Sequence, residues 1–403
     1  MKYDFDEIID RKGTNSENVE GWRPYIFKCG PEKVFPYADD EFVRMWVADM
    51  EFAVAPEIRQ AIIDRVNRRI LGYTMVYDRG YYDALLKWCK DRYDWSFDEE
   101  QIVFSPGVIP ALYQLVEDLV GKNEKVLTMT PAYGFFLHAC EYNGVELVTS
   151  PLKRENGRFE IDFDDLEKKA SEPEVKMLML CNPHNPSGRI WTEEELRKIA
   201  DIVRKNNLWV VSDEIHCDLI RTGLKHIPFG KVMEDYDKLI TTMSASKTFN
   251  LAGLMFSNII IRDAAERQRF QDRDKNIGAA NPLSIAAHKA AYEHGGSWLE
   301  ELKAYIDGSF DMVKNFLSEN LPEAVFEIPQ ATYFAWVDMS KVLPDVEDMP
   351  IFFANNAGVL LEGGDELFVG NAKGCIRLNL AMPRSVIKTG LERIAEAVRK
   401  HKA

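Results

Sequence analysis

Cysteine is scarce and scattered: Cys29, Cys89, Cys140, Cys181, Cys217 and Cys375 stand singly among 403 residues, with no C-x-x-C pair. That spacing excludes a disulfide frame and a zinc knuckle, and suits small buried thiols in a reducing compartment. Long hydrophobic runs are missing too, since no stretch reaches the roughly 18 apolar residues that cross a bilayer. The start, Met1-Lys2-Tyr3-Asp4-Phe5-Asp6-Glu7, lacks the basic end and apolar stretch of a secretory signal. The expectation is a cytoplasmic protein with no membrane partner. Positive charge is in deficit, with 50 Lys plus Arg against 65 Asp plus Glu and a net −15. Such a chain repels phosphate backbones, so nucleic acid is excluded as a partner. The short basic run Arg65, Arg68, Arg69 reads as a solvated helix face. A P-loop and a G-x-G-x-x-G fingerprint are absent as well. Gly363, Gly364, Gly370 and Gly374 precede a strand, the wrong order for a dinucleotide site.

What is present is a chain able to bury large cores, with 46% apolar and 11% aromatic residues. Its length favours two or three compact units. Strand-like runs at 101–105, 125–129, 145–149, 175–181, 208–213, 238–243 and 258–261 are mostly separated by helix-length segments, which predicts an α/β sheet with crossover helices. One crossover is explicit. Thr192 and Glu195 form a capping box, and Leu196, Ile199, Ala200 and Val203 follow on one helical face. The next strand turns from apolar to acidic at Asp213, which puts that carboxylate at the carboxyl end of a central strand, where open α/β sheets bind ligands. A helix is predicted over 55–71, with Pro56 in its first turn and Gly72 stopping it. Beyond about residue 290 a long helix (297–319), strand-like runs at 325–328 and 331–338 and a strand at 374–381 predict a smaller α+β unit. The first 45 residues lack a strong period and read as an arm wrapping over something else. The division expected is an arm or part of the small domain over 1–45, a large domain over 46–290 and a small one over 291–403.

Four segments carry residues with chemistry. In Thr241-Thr242-Met243-Ser244-Ala245-Ser246-Lys247-Thr248-Phe249-Asn250-Leu251-Ala252-Gly253 a strand ends in small hydroxyl residues and a lone lysine. A lysine desolvated at a strand end loses its proton readily enough to attack a carbonyl. Asp213, in Ser212-Asp213-Glu214-Ile215-His216-Cys217-Asp218, needs a cationic partner if buried, and the protonated ring nitrogen of pyridoxal phosphate is one such partner. A metal held by Asp213, His216 and Asp218 is the weaker reading, because these residues alternate along a strand and its exit rather than converging on one face. His216 also reads as a satisfied core histidine. Cys181-Asn182-Pro183-His184-Asn185-Pro186-Ser187-Gly188 is a turn directly after a strand, from which the Asn185 amide could reach a phenolate-type oxygen. Phe104-Ser105-Pro106-Gly107-Val108-Ile109-Pro110 is a strand-to-helix turn whose backbone N–H groups could cradle a phosphate.

Asn-Pro-His-Asn-Pro-Ser-Gly, then Ser-Asp-Glu-Ile-His, then Ser-Ala-Ser-Lys-Thr-Phe-Asn-Leu-Ala-Gly resembles the fold-type I aminotransferase superfamily dependent on pyridoxal phosphate, over nearly the whole chain. Arg11-Lys12-Gly13-Thr14-Asn15-Ser16, Trp46-Val47-Ala48-Asp49-Met50-Glu51-Phe52, Gly72-Tyr73-Thr74 and Ala331-Thr332-Tyr333-Phe334-Ala335-Trp336 are similar to the MalY/PatB group of cystathionine beta-lyases within it. The resemblance implies a large domain with a mostly parallel seven-stranded sheet between helices, and a smaller α+β domain. It implies Lys247 as the Schiff-base lysine, Asp213 as the pyridinium partner, Asn185 as donor to the ring oxygen and Tyr133 stacked on the ring. His216 takes the place of a tyrosine that touches the same oxygen in many aminotransferases. Val108, Ile109, Ser244 and Ser246 would hold the phosphate, Arg377 the substrate α-carboxylate, and Ala48, Tyr73 and Tyr333 the rest of the substrate. Tyr73 would reach across the interface of a homodimer. Two departures stand out: Met255 occupies the place of a phosphate-binding arginine, and Glu51 replaces an aspartate.

The function implied is α,β-elimination on an L-amino acid with sulfur on Cβ, such as cystathionine or another cysteine conjugate, to thiol, pyruvate and ammonia. Transamination with a keto-acid acceptor shares the early chemistry and is the alternative. A regulatory binding protein on the same fold is the rival from another class.

Overall fold

The computed structural model describes residues 2–155, 157–274 and 280–403. A seven-stranded sheet runs in the order Ile102–Ser105, Ser257–Ile261, Leu239–Met243, Trp209–Asp213, Val175–Cys181, Lys125–Thr130, Glu146–Pro151. Only Ser257–Ile261 runs against its two neighbours; every other pairing is parallel. The architecture is therefore the mostly parallel α/β sheet expected, with the central strands buried nearly throughout and the edge strand Glu146–Pro151 half-exposed. The carboxyl ends of six strands share one edge, so the turns after Ser105, Thr130, Cys181, Asp213 and Met243 converge there. Helix Glu193–Asn206 shows the local logic. Thr192 Oγ1 accepts from Glu195 N at 3.2 Å, Glu195 Oε2 accepts from Thr192 N at 2.8 Å, and Leu196, Ile199, Ala200 and Val203 are buried against the sheet side.

A second sheet is antiparallel, in the order Phe334–Asp338, Cys375–Asn379, Glu362–Gly363. Helices Gly296–Asn320 and Arg384–Lys402 accompany it. Here the structure corrects three expectations. The run 325–328 is not a strand, because Val325 makes one isolated bridge to Asp338 and Pro329 then denies the ladder a donor. The following strand begins at Phe334, since Ala331 bridges to Ile220 and Thr332 sits at φ 70°. The helix expected over 55–71 stops at Val66: Asn67 caps it, Arg69 turns left-handed at φ 65°, and Ile70 and Leu71 are 74% and 58% exposed, leaving nothing to hold a further turn.

The arm packs onto its own chain. Short helices Glu17–Glu20 and Trp22–Ile26 lead into strand Val43–Arg44, which pairs in parallel with Val359–Leu360. Trp22, Phe35, Phe42 and Trp46 bury together with Ala354 and Leu360. Among the described residues no helix is long and apolar enough to cross a membrane.

Candidate active site

Lys247 sits on the short helix Ala245–Thr248, immediately after the sheet edge. Ser244 caps that helix, its Oγ accepting from Ser246 N at 3.1 Å and donating to Phe256 O at 2.7 Å. The lysine is turned inward, and Nζ donates to Ala48 O at 2.7 Å. Burial pushes its ammonium down to about 8 from an ordinary 10.5. Arg377 adds to the fall, while Asp49 and Asp213 oppose it. Such an amine is deprotonated in a useful fraction near neutrality.

Asp213 ends the strand Trp209–Asp213 and is buried. Its Oδ1 accepts from Ile215 N at 3.2 Å and from Thr242 Oγ1 at 3.3 Å, two long hydrogen bonds for a carboxylate. Burial raises this acid from 3.8 to about 6. A carboxylate so poorly solvated gains most from a cation placed beside it. Asn185 Oδ1 and His216 Nδ1 lie buried at the same edge with no protein partner. Burial, helped by Lys247 and Arg377, pushes His216 down to about 3, so its ring is neutral.

Arg377 comes from the other sheet, on strand Cys375–Asn379. It is 1% exposed, donates through Nη2 to Trp46 O at 3.1 Å, and packs 4.1 Å from the Phe334 ring. Its Nε and Nη1 are buried without partners. A buried guanidinium with free donors is a site for a carboxylate, which its planar fork can bind through paired hydrogen bonds. Lys247, Arg377, Tyr133 and Ala48 line one cavity of about 390 Å³, together with Tyr25 and Glu362. Tyr333 is buried beside it, and its hydroxyl donates to Ala48 O at 3.0 Å, the same oxygen that Lys247 uses.

The other expected residues fall in four places. Helix Val108–Leu119 begins at Val108, so the N–H groups of Val108 and Ile109 belong to a first turn that has no intrahelical acceptor. Ser244 and Ser246 face the turn as described, with Ser244 Oγ already engaged in its cap. Tyr73 is not brought to the cavity of its own chain and stands fully exposed. Asp218 does not converge with Asp213 and His216. Its carboxylate accepts from Trp88 Nε1 at 3.1 Å, Thr248 Oγ1 at 3.0 Å and the Tyr93 hydroxyl.

Residues outside the expected set hold the segment 46–51 over the lysine. Asn379 Nδ2 donates to Val47 O and Asp49 O, and Asn250 Nδ2 to Met50 O and Phe52 O. Asn379 was findable, since in a strand it shares a face with Arg377 two residues before it. Arg11 ties the same segment from outside through Asp49 and Glu51. Met255, in place of an arginine, is exposed at φ 48° and contributes no charge.

The model of the family Aminotransferase class I and II matches residues 41–394. The Cystathionine beta-lyase PatB of Bacillus subtilis is 38% identical over 98% of this chain and 99% of its own. Protein MalY of Escherichia coli is 28% identical over 98% and 99%. Among solved structures, the PLP-bound C-S lyase of Staphylococcus hominis superposes with a TM-score of 0.93 at 47% identity, covering 98% of each chain.

Proposed function

Because the chain belongs to the aminotransferase class I and II family, we propose that it is a pyridoxal-phosphate-dependent carbon–sulfur lyase acting on cysteine thioethers, cystathionine among them. The observation that carries the reading is the set of buried groups left short of partners around Lys247: the Asp213 carboxylate, His216 Nδ1 and two nitrogens of Arg377. These fit pyridoxal phosphate and an amino-acid carboxylate. Lys247 would hold the cofactor covalently, Asp213 would face its ring nitrogen, Asn185 and His216 its ring oxygen, and Tyr133 its face. Val108, Ile109, Ser244 and Ser246 would take the phosphate with neutral donors. When bound, the cofactor supplies an electron sink that makes the substrate Cα acidic and lets a sulfur leaving group depart from Cβ.

The chain's own residues do the remainder. Arg377 fixes the α-carboxylate and so aims the Cα–H bond. Lys247, neutral when released, removes the Cα proton and can return one to the departing sulfur. Asp213, ionised, would favour a proton on the ring nitrogen. Ala48 O and Tyr333 hold the lysine in reach of the substrate. Water is consumed in the overall reaction, and thiol, pyruvate and ammonia leave.

The working unit in this reading is a homodimer in the cytoplasm, where the six cysteines stay reduced, with Tyr73 entering the partner's site. Its domains are the arm 1–45, the large 46–290 and the small 291–403. In the test, Lys247→Ala abolishes the visible absorbance of the holoprotein and release of pyruvate from cystathionine, and borohydride reduction of the parent leaves a pyridoxyl group on the Lys247 peptide. Pyruvate and thiol formed without any keto acid support the lyase; a strict keto-acid requirement overturns it in favour of transamination.

A further inference from the structure

Arg11 stands in the wall of three hollows at once. It lines the 390 Å³ cavity with Lys247 and Arg377, a cleft of about 310 Å³ along Met50 and Phe52, and an outer hollow of about 590 Å³. Among the residues lining them it alone is common to all three. Its guanidinium is committed on both arms, at 2.7 Å to Asp49 and 2.5 Å to Glu51, and Asn18 Nδ2 fixes the same Glu51 oxygen at 2.6 Å. Two carboxylates facing one cation leave it no free fork for a substrate carboxylate, in contrast to Arg377 with its two unpaired nitrogens. The outer hollow behind it has an apolar wall of Ile8, Ile9, Phe42, Val43, Met382 and Val386. Ile8 is 73% exposed and Ile9 37%, so the rim of this hollow presents aliphatic surface to solvent.

We propose that Arg11 is a specificity-determining residue: its clamped side chain closes the reaction cavity against the outer hollow and excludes long apolar sulfur substituents. This rests on the lyase reading above. Opening that wall lets an apolar substituent run from the sulfur across the Asp49–Glu51 rim onto Ile9, Val43 and Val386. Each methylene moved out of water there favours binding.

The experiment compares S-methyl-L-cysteine with S-hexyl-L-cysteine by pyruvate release from the holoenzyme. Arg11→Ala raises kcat/KM for the hexyl compound at least tenfold relative to the methyl compound, mainly through KM, and Val386→Phe in that background removes most of the gain. Equilibrium dialysis of S-hexyl-L-cysteine against Lys247→Ala and Lys247→Ala/Arg11→Ala holoproteins reads the same tightening without turnover. A parallel fall for both substrates with an unchanged ratio and unchanged dialysis means that Arg11 only braces the segment 46–51, and overturns the proposal while leaving the lyase intact. Failure of the parent enzyme to release pyruvate from cystathionine as well as from S-methyl-L-cysteine overturns the lyase reading and this inference together.

Discussion

Arg377, Lys247 and Asp213 are three charged side chains at one buried edge, and burial moves two of them off their ordinary values, Lys247 down to about 8, as its task requires, and Asp213 up to about 6, which a cation beside it opposes. Lys247 is the titratable one near neutrality. As pH rises through about 8 its amine loses the proton that blocks attack on an aldehyde, so the rate at which cofactor-free protein gains visible absorbance with pyridoxal phosphate climbs through that region and levels above it. Stopped-flow absorbance across pH 6 to about 10 checks this; a rate falling with pH contradicts it. For Asp213→Asn the neutral amide cannot balance a ring proton in a buried site. Cystathionine cleavage drops by about a hundredfold or more, with cofactor still bound, as electrostatic deletions at reacting centres do. Steady-state kinetics on the reconstituted variant measures it.

At the scale of elements, the helix Ala264–Asp274 carries a device unrelated to catalysis. Glu266 is almost wholly buried, and burial with Asp118 and Asp263 nearby raises its acid from 4.5 to about 7, against Arg269 and Arg273. Between these two values the folded chain holds a proton that the unfolded chain has released. Stability is therefore greatest below about 4.5 for this group, falls as pH rises through about 7, and stays lower above. Glu266→Gln removes that dependence: the melting temperature of the variant relative to the parent is higher at pH 8 than at pH 4.5. An equal offset at both pH values contradicts the assignment. The strands and their crossover helices were legible from pattern alone, because a parallel strand buried on both faces is apolar throughout and a capping box marks its helix. The end at Val66 was not legible, since Ile70 and Leu71 keep helical spacing and only their lack of any packing partner in the chain ends the helix earlier.

For the whole molecule, Ile63, Val66, Ile70, Leu71, Tyr73, Met75 and Tyr77 make a run of exposed large apolar side chains within fifteen residues. A run of that kind in water marks an interface, and a second copy is its occupant in the proposed dimer. Leu71→Asp inserts a charge into that contact. Sedimentation equilibrium finds the parent at twice the chain mass and the variant at one, with activity lost because Tyr73 no longer reaches a partner's cavity. A parent that sediments as a monomer at working concentration contradicts the dimer.

The sequence by itself determined the alternation of strands and helices, the acidic end of the central strand and the lysine after the next one, because burial on two faces and a chain turn at a sheet edge leave local marks. Position within a turn does not say which groups meet. Tertiary structure alone brought Arg377 from the second sheet, and the strap 46–51 from the arm's end, onto Lys247. It also left two Arg377 nitrogens unpaired, and the contacts Lys247–Ala48 and Arg377–Trp46 join residues 199 and 331 positions apart, where no local pattern reaches and only the packing of the two sheets sets the distance.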